Sequence, residues 1–260
     1  MPSLSALLST FDPSAGIELP PQWLQGRTGY GGITTALGVV AAKAACAPAL
    51  PPLRSVQVNF VGPASGHLSF EVQLLRAGKS VTAVAVDVHG ENGLALRLTL
   101  VFAQPRQSVL AHSLVRAPQV PGWQDCAALD MAHVPFAPAF IANFELRPAG
   151  GAMPMAGAEH PELLFWVRHG EAAGVDPALA LVAMADALPP AVFSALRTPA
   201  PASSVNWSFD LLDPAPKGQW FLLRSVSQYA SEGYSAQAMQ VWDEQGQLVM
   251  LGRQCVAVFA

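Results

Sequence analysis

The sequence predicts an α+β protein built from two similar units, each made of one long apolar helix followed by an antiparallel sheet. Four strands separated by glycine-containing turns are predicted over residues 55–102, and the same pattern returns over residues 204–259. A helical segment of small and apolar residues precedes each set of strands. Because such a repeat indicates a duplicated unit, we expect the two units to pack together around one shared groove.

Composition limits the size of the units and the classes of partner. The chain has 260 residues, of which 52% are hydrophobic and 12% are charged, and its formal net charge is -4. We predict an N-terminal domain over residues 1–105, a linker over 106–160 and a C-terminal domain over 161–260. The net charge and the scattered basic residues argue against binding to nucleic acid. The low charge content favours self-association, and we expect a homodimer.

Apolar segments and cysteine spacing bear on the cellular compartment. Lys43 interrupts one long apolar stretch, and Asp186 with Pro189 and Pro190 interrupts the other, so we expect no membrane span. The first thirteen residues lack the charged start and apolar core of a secretory signal. The three cysteines have no CxxC spacing, which argues against a disulfide framework and a zinc site. We expect a cytoplasmic protein without a metal or cofactor.

The first helix is predicted over residues 31–47, where Lys43 is the only charged residue. A helix that is apolar on all sides is buried on all sides. The segments 70–74 and 94–100 alternate apolar with other residues, which is typical of strands with one buried face. We therefore expect these strands to cover the helix.

The middle of the chain and the second helix complete the prediction. Residues 104–160 are rich in proline, alanine and glycine, and we expect a partly ordered linker because aromatic side chains such as Trp123 and Phe140 need covering. A strand at residues 163–168 should open the second half. The second helix is predicted over residues 177–196, kinked or broken near Pro189 and Pro190.

Short motifs spread along the chain resemble the acyl-CoA thioesterase II (TesB-like) family. They are Gly31-Gly32, Leu75-Arg76-x-Gly78-Lys79-Ser80, Trp166-x-Arg168, Ala185-Asp186, Ser204-Val205-Asn206, Trp220-Phe221-Leu222-Leu223, Asp243-x-x-Gly246 and Arg253-Gln254. The resemblance implies a double hotdog fold, in which a curved antiparallel sheet wraps the long helix of each fused unit. It also implies hydrolysis of a hydrophobic acyl-CoA to free fatty acid and CoA by a water that Asp, Thr or Ser, and Gln side chains activate. By position, these catalytic residues would be Asp186, Ser204 and Gln254.

Asp186 is the only charged residue in the segment 178–196. Burial raises the pKa of a carboxyl group unless its partners stabilise the charge. Asp186 is therefore a candidate general base that takes a proton from water. The alternative is a carboxylate that faces solvent at the helix edge or caps the helix before Pro189.

Gln254 and Arg253 are adjacent polar residues in an apolar strand, so they must face opposite sides of the sheet. Because burying a guanidinium group costs more than burying an amide, we expect Gln254 to point inward. Its amide could then bind the attacking water or the carboxylate of Asp186. It could equally satisfy a buried backbone group.

Ser204 begins the strand that contains Trp207 and Phe209. Strict alternation places Ser204 on the face opposite these two residues. Either the site lies on that face, or a β-bulge turns Ser204 inward. Ser203 is the alternative hydroxyl.

Gly31 and Gly32 stand at the predicted start of the first helix, where backbone N–H groups have no partner within the helix. These groups could bind the carbonyl oxygen of a substrate, with Tyr30 lining the same entrance. The other interpretation is that the glycines only allow the helix to pack closely against its neighbours.

Other chemistries lack their motifs, since the sequence contains no GxSxG, HExxH, P-loop or strand-linked GxGxxG. We therefore expect no serine hydrolase. A non-catalytic acyl-CoA or acyl-carrier binding module remains an alternative. A hotdog hydratase or dehydratase would need a histidine opposite a carboxylate, and His169 is the histidine to examine for proximity to Asp186.

Overall fold

The computed structural model describes residues 3–46, 50–131 and 137–260. Its α-helices are α1 (Leu4–Thr10), α2 (Gly31–Ala45) and α3 (Pro177–Ala185). Its strands are β1 (Ile17–Glu18), β2 (Leu24–Gln25), β3 (Thr28–Gly29), β4 (Leu53–Phe60), β5 (His67–Ala77), β6 (Val81–Gly90), β7 (Gly93–Ala103), β8 (Phe144–Gly151), β9 (Glu162–His169), β10 (Ala202–Leu211), β11 (Phe221–Ser231), β12 (Tyr234–Asp243) and β13 (Leu248–Val258). Short 3₁₀-helices lie at Pro21–Trp23, Trp123–Asp125, Ala139–Asn143 and Ala191–Ser194. Within these ranges, no helix has the length and hydropathy that a membrane span requires.

One antiparallel sheet dominates the described part of the chain. Its eleven strands follow the order β1-β5-β6-β7-β4-β10-β13-β12-β11-β9-β8. The strands β4 and β10 pair near the middle, where Gln57 lies opposite Ser208. This pairing joins the two halves of the sheet. Outward from this pair, β4-β7-β6-β5 on one side corresponds to β10-β13-β12-β11 on the other. The predicted repetition of a four-stranded unit is therefore visible in the sheet order.

The helix α2 is buried on several sides, as its composition predicts. It begins at Gly31, and ten of its fifteen residues are buried. It contacts β5, β6 and β7 on one side and α3 on another, which explains why no polar stripe runs along it. Lys43 in its last turn forms an ion pair with Asp176, at 2.6 Å between Nζ and Oδ2. Ala47, the predicted last residue, lies outside the described residues.

The helix α3 is shorter than predicted. Asp176 caps its start by accepting a hydrogen bond from the N–H of Ala178, and the helix ends at Ala185 instead of continuing to residue 196. Pro189 and Pro190 have no N–H to donate, and a proline disfavours helical geometry in the residue before it. The chain leaves the helix at Asp186 and forms a 3₁₀-helix at Ala191–Ser194.

The predicted linker is more ordered than its composition suggests. The strand β8 lies inside it and pairs with β9 at the edge of the sheet. Trp123 stacks on Trp220 with ring centroids 5.0 Å apart, and the guanidinium groups of Arg147 and Arg168 each lie 4.9 Å from the Trp220 ring. This segment therefore covers the outer face of the second half. The division of the chain at residues 105 and 160 stays a prediction.

The same β-bulge occurs in both halves and shows which residues of the two halves occupy equivalent positions. In β4 the pairing with β7 shifts between Leu53 and Ser55, and in β10 the pairing with β13 shifts between Ser204 and Asn206. Leu53 therefore corresponds to Ser204. Aligning the two segments by residue type matches Ser55 with Ser204 instead, because residue similarity does not reveal which residue a bulge leaves unpaired.

The crossing of α2 over β7 yields a packing prediction. A methyl group on Gly38 would lie 3.0 Å from the Cδ2 atom of Leu98. We expect Leu98→Ala to lower the free energy of unfolding by about 2–5 kcal/mol. In the Leu98→Ala variant, adding Gly38→Ala should restore about 1 kcal/mol of the free energy of unfolding. Alanine has a higher helix propensity than glycine, and its methyl group fills part of the cavity.

In the wild type, Gly38→Ala should raise the free energy of unfolding by less than this, because the added methyl group crowds Leu98. Urea unfolding of the wild type, the two single variants and the double variant measures the coupling energy between Gly38 and Leu98. Effects that simply add would contradict this contact.

Candidate active site

Asp186 lies at the point where α3 ends and where the first turn of α2 approaches it. Its Oδ1 atom accepts a hydrogen bond from Nε2 of Gln254 at 3.1 Å. The carboxylate also accepts a hydrogen bond from the backbone N–H of Gly32. Asp186 therefore connects α3, the N-terminus of α2 and β13. The position at the C-cap replaces the predicted position inside a longer helix.

The surroundings of Asp186 change its proton affinity. Burial raises the pKa of its carboxyl group from 3.8 to about 7, while the hydrogen bonds from Gln254 and Gly32 oppose this rise by stabilising the charge. The residue nevertheless keeps some solvent-accessible surface. A carboxyl group with this pKa populates both protonation states at neutral pH, which is the property that a general base needs.

Gly31 and Gly32 allow this close approach. A Cβ atom on Gly31 would lie 2.5 Å from Oδ2 of Asp186 and 3.1 Å from the Phe60 ring, and one on Gly32 would lie 2.5 Å from the carbonyl oxygen of Ala183. Both glycines thus serve close packing, and Gly32 also binds Asp186. Gly31 is the first residue of α2, so its N–H has no acceptor within the helix.

Tyr30 lies in the core and not at an entrance, which corrects the prediction. Its side chain is 0% exposed, and its ring stacks on Phe140 with centroids 3.9 Å apart. Phe140 belongs to the predicted linker, whose path past Tyr30 could not be derived from its composition. Burial and the nearby charge of Asp186 raise the pKa of Tyr30 well above its ordinary value. Its hydroxyl has no hydrogen-bond partner among the described residues.

Gln254 faces the interior and Arg253 faces solvent, as the strand pattern predicts. The Oε1 atom of Gln254 accepts a hydrogen bond from Nε2 of Gln237 at 2.6 Å. The Oε1 atom of Gln237 accepts one from the backbone N–H of Ala191 at 2.9 Å. Sequence reasoning missed Gln237. The feature that could have revealed it is an amide at an inward position of β12, where Met239 and other neighbours on the same face are buried.

Ser204 faces the same side of the sheet as Gln254. Ser204 pairs with Val256, whereas Trp207 pairs with Gln254, so the intervening bulge shifts the alternation. Strict alternation therefore fails at Val205, which is 39% exposed. Ser203 is exposed and lies on the opposite face.

The hydroxyl of Ser204 is not joined to the other two predicted residues by a hydrogen bond within the described ranges. Diagonal neighbours on adjacent strands are separated by about 7–8 Å, a gap that a water or substrate atom can bridge. The structure thus brings Asp186, Gln254 and Gly32 into direct contact and leaves Ser204 at the margin.

His169 takes no part in this arrangement. Its Nε2 atom lies 2.8 Å from the carbonyl oxygen of Ala180, and its ring packs against Phe144. Burial lowers the pKa of its imidazole. No contact with Asp186 and no cluster of three possible metal ligands occurs in the part of the chain that the structure describes.

The corresponding positions of the first half are apolar. Leu100 pairs with Val56 and Val84 in the way that Gln254 pairs with Trp207 and Gln237. Three of the polar inward residues of the second half and their counterparts in the first half are Ser204 and Leu53, Gln237 and Val84, and Gln254 and Leu100. These three polar side chains of the candidate site therefore belong to the second half, while the backbone N–H that binds Asp186 comes from Gly32 in the first.

Asp186 should make the stability of the protein depend on pH. Because folding raises its pKa from 3.8 to about 7, the folded state binds more protons than the unfolded state between these values. The free energy of unfolding therefore falls as pH rises through this window. We expect Asp186→Asn to be more stable than the wild type by about 2–4 kcal/mol at about pH 8 and nearly equal to it near pH 4. Urea unfolding at both pH values checks this, and a difference that does not change with pH would contradict it.

Solved structures share this fold. A conserved protein of unknown function with a hotdog fold from Alicyclobacillus acidocaldarius is 23% identical, with a TM-score of 0.82 over 94% of this chain and 92% of that chain. The tesB protein of Mycobacterium avium subspecies paratuberculosis is 18% identical, with a TM-score of 0.76 over 94% and 91%. The acyl-CoA thioesterase II TesB2 from Mycobacterium marinum is 18% identical, with a TM-score of 0.71 over 89% and 90%. At these identities the likeness establishes the hotdog fold alone.

Two family models show to which protein family the chain belongs. The acyl-CoA thioesterase N-terminal domain matches residues 19–103, and the acyl-CoA thioesterase C-terminal domain matches residues 114–258. No curated protein sequence matches the chain significantly. Since the matched residues span most of the sequence and confirm the resemblance of its motifs, the chain belongs to the acyl-CoA thioesterase family.

Proposed function

We propose that the protein is a thioester hydrolase that cleaves a hydrophobic acyl-CoA into free fatty acid and CoA, on a double hotdog fold. The family supports the substrate class, and the repeated sheet order supports two fused units. The observation that carries the proposal is Asp186, a partly exposed residue whose carboxyl group has a pKa of about 7 and lies at the N-terminus of α2.

The proposed reaction uses ionised Asp186 as the general base. The carboxylate takes a proton from water while the water oxygen bonds to the thioester carbonyl carbon, and the carbonyl π electrons move onto the carbonyl oxygen. When the tetrahedral intermediate collapses, the C–S bond breaks and its electron pair leaves with the sulfur of CoA. The proton on Asp186 then passes to this thiolate, which regenerates the base.

The N-terminus of α2 is the proposed site for the negative charge on the carbonyl oxygen. The N–H of Gly31 has no acceptor within the helix, and the helix dipole is positive at this end. Gly32 donates to Asp186, so we assign the oxyanion contact to Gly31. Phe60 lies beside Gly31 and supplies an apolar wall, where a hydrogen bond to the oxyanion is stronger than in water.

Gln254 and Ser204 are proposed to hold the water. The Nε2 group of Gln254 carries two hydrogens, and only one of them is needed for the bond to Asp186. The second can donate to the oxygen of the water. The hydroxyl of Ser204 lies on the same face, and its oxygen can accept a hydrogen bond from the hydrogen of the water that Asp186 does not take.

Activity should follow the ionisation of Asp186. In a panel of acyl-CoA thioesters from short to long chains, with free CoA detected by a thiol reagent, we expect hydrolysis of at least one thioester. For that substrate, kcat/KM should rise with pH up to about 7 and then level off, because only the ionised carboxylate can accept a proton. A profile that falls with pH in this range would exclude Asp186 as the base.

Removing the carboxylate should abolish most of this activity. We expect Asp186→Asn, and likewise Asp186→Ala, to lower kcat by about 10²–10⁴. Asp176→Asn is the matched control, because Asp176 caps the same helix at its other end and pairs with Lys43. Since Asp186→Asn is expected to fold stably, activity retained in that variant would remove Asp186 from the mechanism.

The same panel separates the alternatives. Tight acyl-CoA binding without release of CoA would identify a non-catalytic binding module. A homodimer, expected from the low charge content and the family resemblance, and a cytoplasmic location both stay predictions.

A further inference from the structure

We infer that Gln237 is a positioning residue, which determines which end of the Gln254 side-chain amide faces Asp186. The inference rests on the proposed function. Gln237 acts through Gln254 and touches neither the water nor the thioester.

The polarity of the hydrogen-bond chain starts at a backbone group. The N–H of Ala191 can only donate, so the Gln237 atom 2.9 Å away must be its oxygen. The other end of Gln237 is then the NH₂ group, which donates to Gln254 at 2.6 Å. Gln254 must accept there with its oxygen, and its own NH₂ group therefore faces Asp186.

The reverse orientation would have the opposite effect on Asp186. If the amide of Gln254 turned by half a rotation, its Oε1 atom would face Oδ1 of Asp186. Two acceptors repel each other when the carboxyl group is ionised, but the oxygen of the amide can accept a hydrogen bond from the protonated acid. The observed orientation favours the ionised base, and the reverse orientation favours the acid.

Burial makes this orientation depend on Gln237. Gln237 is 2% exposed, so bulk water cannot readily replace it as the partner of the Oε1 atom of Gln254. Without Gln237, no described group would hold the oxygen of Gln254 away from Asp186. The chain of bonds also ties both ends of the segment from Asp186 to Ala191 to the strands β12 and β13.

Charged and titratable neighbours do not account for the same effect. The groups acting on Asp186 are the amide of Gln254, the N–H of Gly32 and the surrounding protein. Tyr30 is the titratable side chain that responds to the charge of Asp186, and its raised pKa keeps it neutral at the pH values of interest. A change in packing around Asp186 could also alter its titration, so only the part of a change that requires Gln254 is attributed to the orientation of its amide.

The test is a double-mutant cycle of Gln237→Met and Gln254→Met. We expect Gln237→Met to favour protonated Asp186 about tenfold, which lowers its ionised fraction about tenfold at pH 6 and about twofold at pH 8. Carbon-13 NMR of labelled aspartate measures this titration without substrate, using Asp186→Asn to identify the resonance. The kcat/KM profile should shift in the same direction. In the Gln254→Met background, Gln237→Met should change neither measurement.

Gln240→Met is the matched control. Gln240 lies on the other face of β12, where its Oε1 accepts a hydrogen bond from Arg224, and its replacement should leave the titration of Asp186 unchanged. An unchanged titration in folded Gln237→Met, or an equal change with and without Gln254, would overturn the inference. If acyl-CoA hydrolysis is absent in the wild type, the proposed function fails while the NMR titration still decides the role of Gln237.

Gln237→Glu replaces Gln237→Met in the double-mutant cycle if Gln237→Met does not fold. The introduced carboxyl group keeps an acceptor for the N–H of Ala191. When ionised, it has no hydrogen to donate, so it accepts from the NH₂ group of Gln254 and turns the Oε1 atom of Gln254 towards Asp186. The added charge raises the proton affinity of Asp186 by itself, and the Gln254→Met background measures that part alone. When protonated, as burial favours, the introduced group instead donates its hydrogen to Oε1 of Gln254 and should leave the titration of Asp186 unchanged. Carbon-13 NMR of labelled glutamate identifies the protonation state. With the introduced group ionised, a shift no larger with Gln254 than without it would contradict the inference; with the group protonated, a shift as large as that expected for Gln237→Met would contradict it.

Discussion

The close approach of α3 to the first turn of α2 is the constraint on which the candidate site depends. Asp186 ends α3, and its carboxylate reaches the backbone N–H of Gly32 only because Gly31 and Gly32 have no side chains. A carboxylate buried among protein atoms is unfavourable, and the helix N-terminus and the amide of Gln254 offset part of that cost. The remaining cost appears as a pKa of about 7. The proposed catalytic property and the loss of stability thus have one physical origin.

The repeated strand order allows one half to carry the polar side chains of such a site. Both halves have the same strand order and the same bulge, so their backbones present equivalent inward positions. In the first half these positions hold leucine and valine, which pack against the core. In the second half they hold a serine and two glutamines. Buried polar side chains need hydrogen-bond partners, and for the two glutamines the chain from Ala191 to Asp186 supplies them.

The sequence predicted much of this arrangement, and its failures are instructive. The resemblance to a family pointed to Asp186 and Gln254 by position, and a lone aspartate among apolar residues and an amide beside an arginine on a strand supported that choice. Tyr30 was misplaced, because the residues that cover it come from the predicted linker, and composition does not predict the path of a linker. Gln237 was overlooked because a single amide on a strand has no recognisable pattern until its partners are known.

Local sequence was sufficient for the alternation of the strands, the two apolar helices and the break at the proline pair, because these follow from local sterics and from the periodicity of hydrophobic residues. The folded chain was needed to establish where Asp186 points, which residue the bulge at Val205 leaves unpaired, and how the amide groups of Gln237 and Gln254 align. These features depend on contacts between segments that are distant in the chain. Their energies arise from burial and hydrogen bonding in the folded state, which no local pattern records.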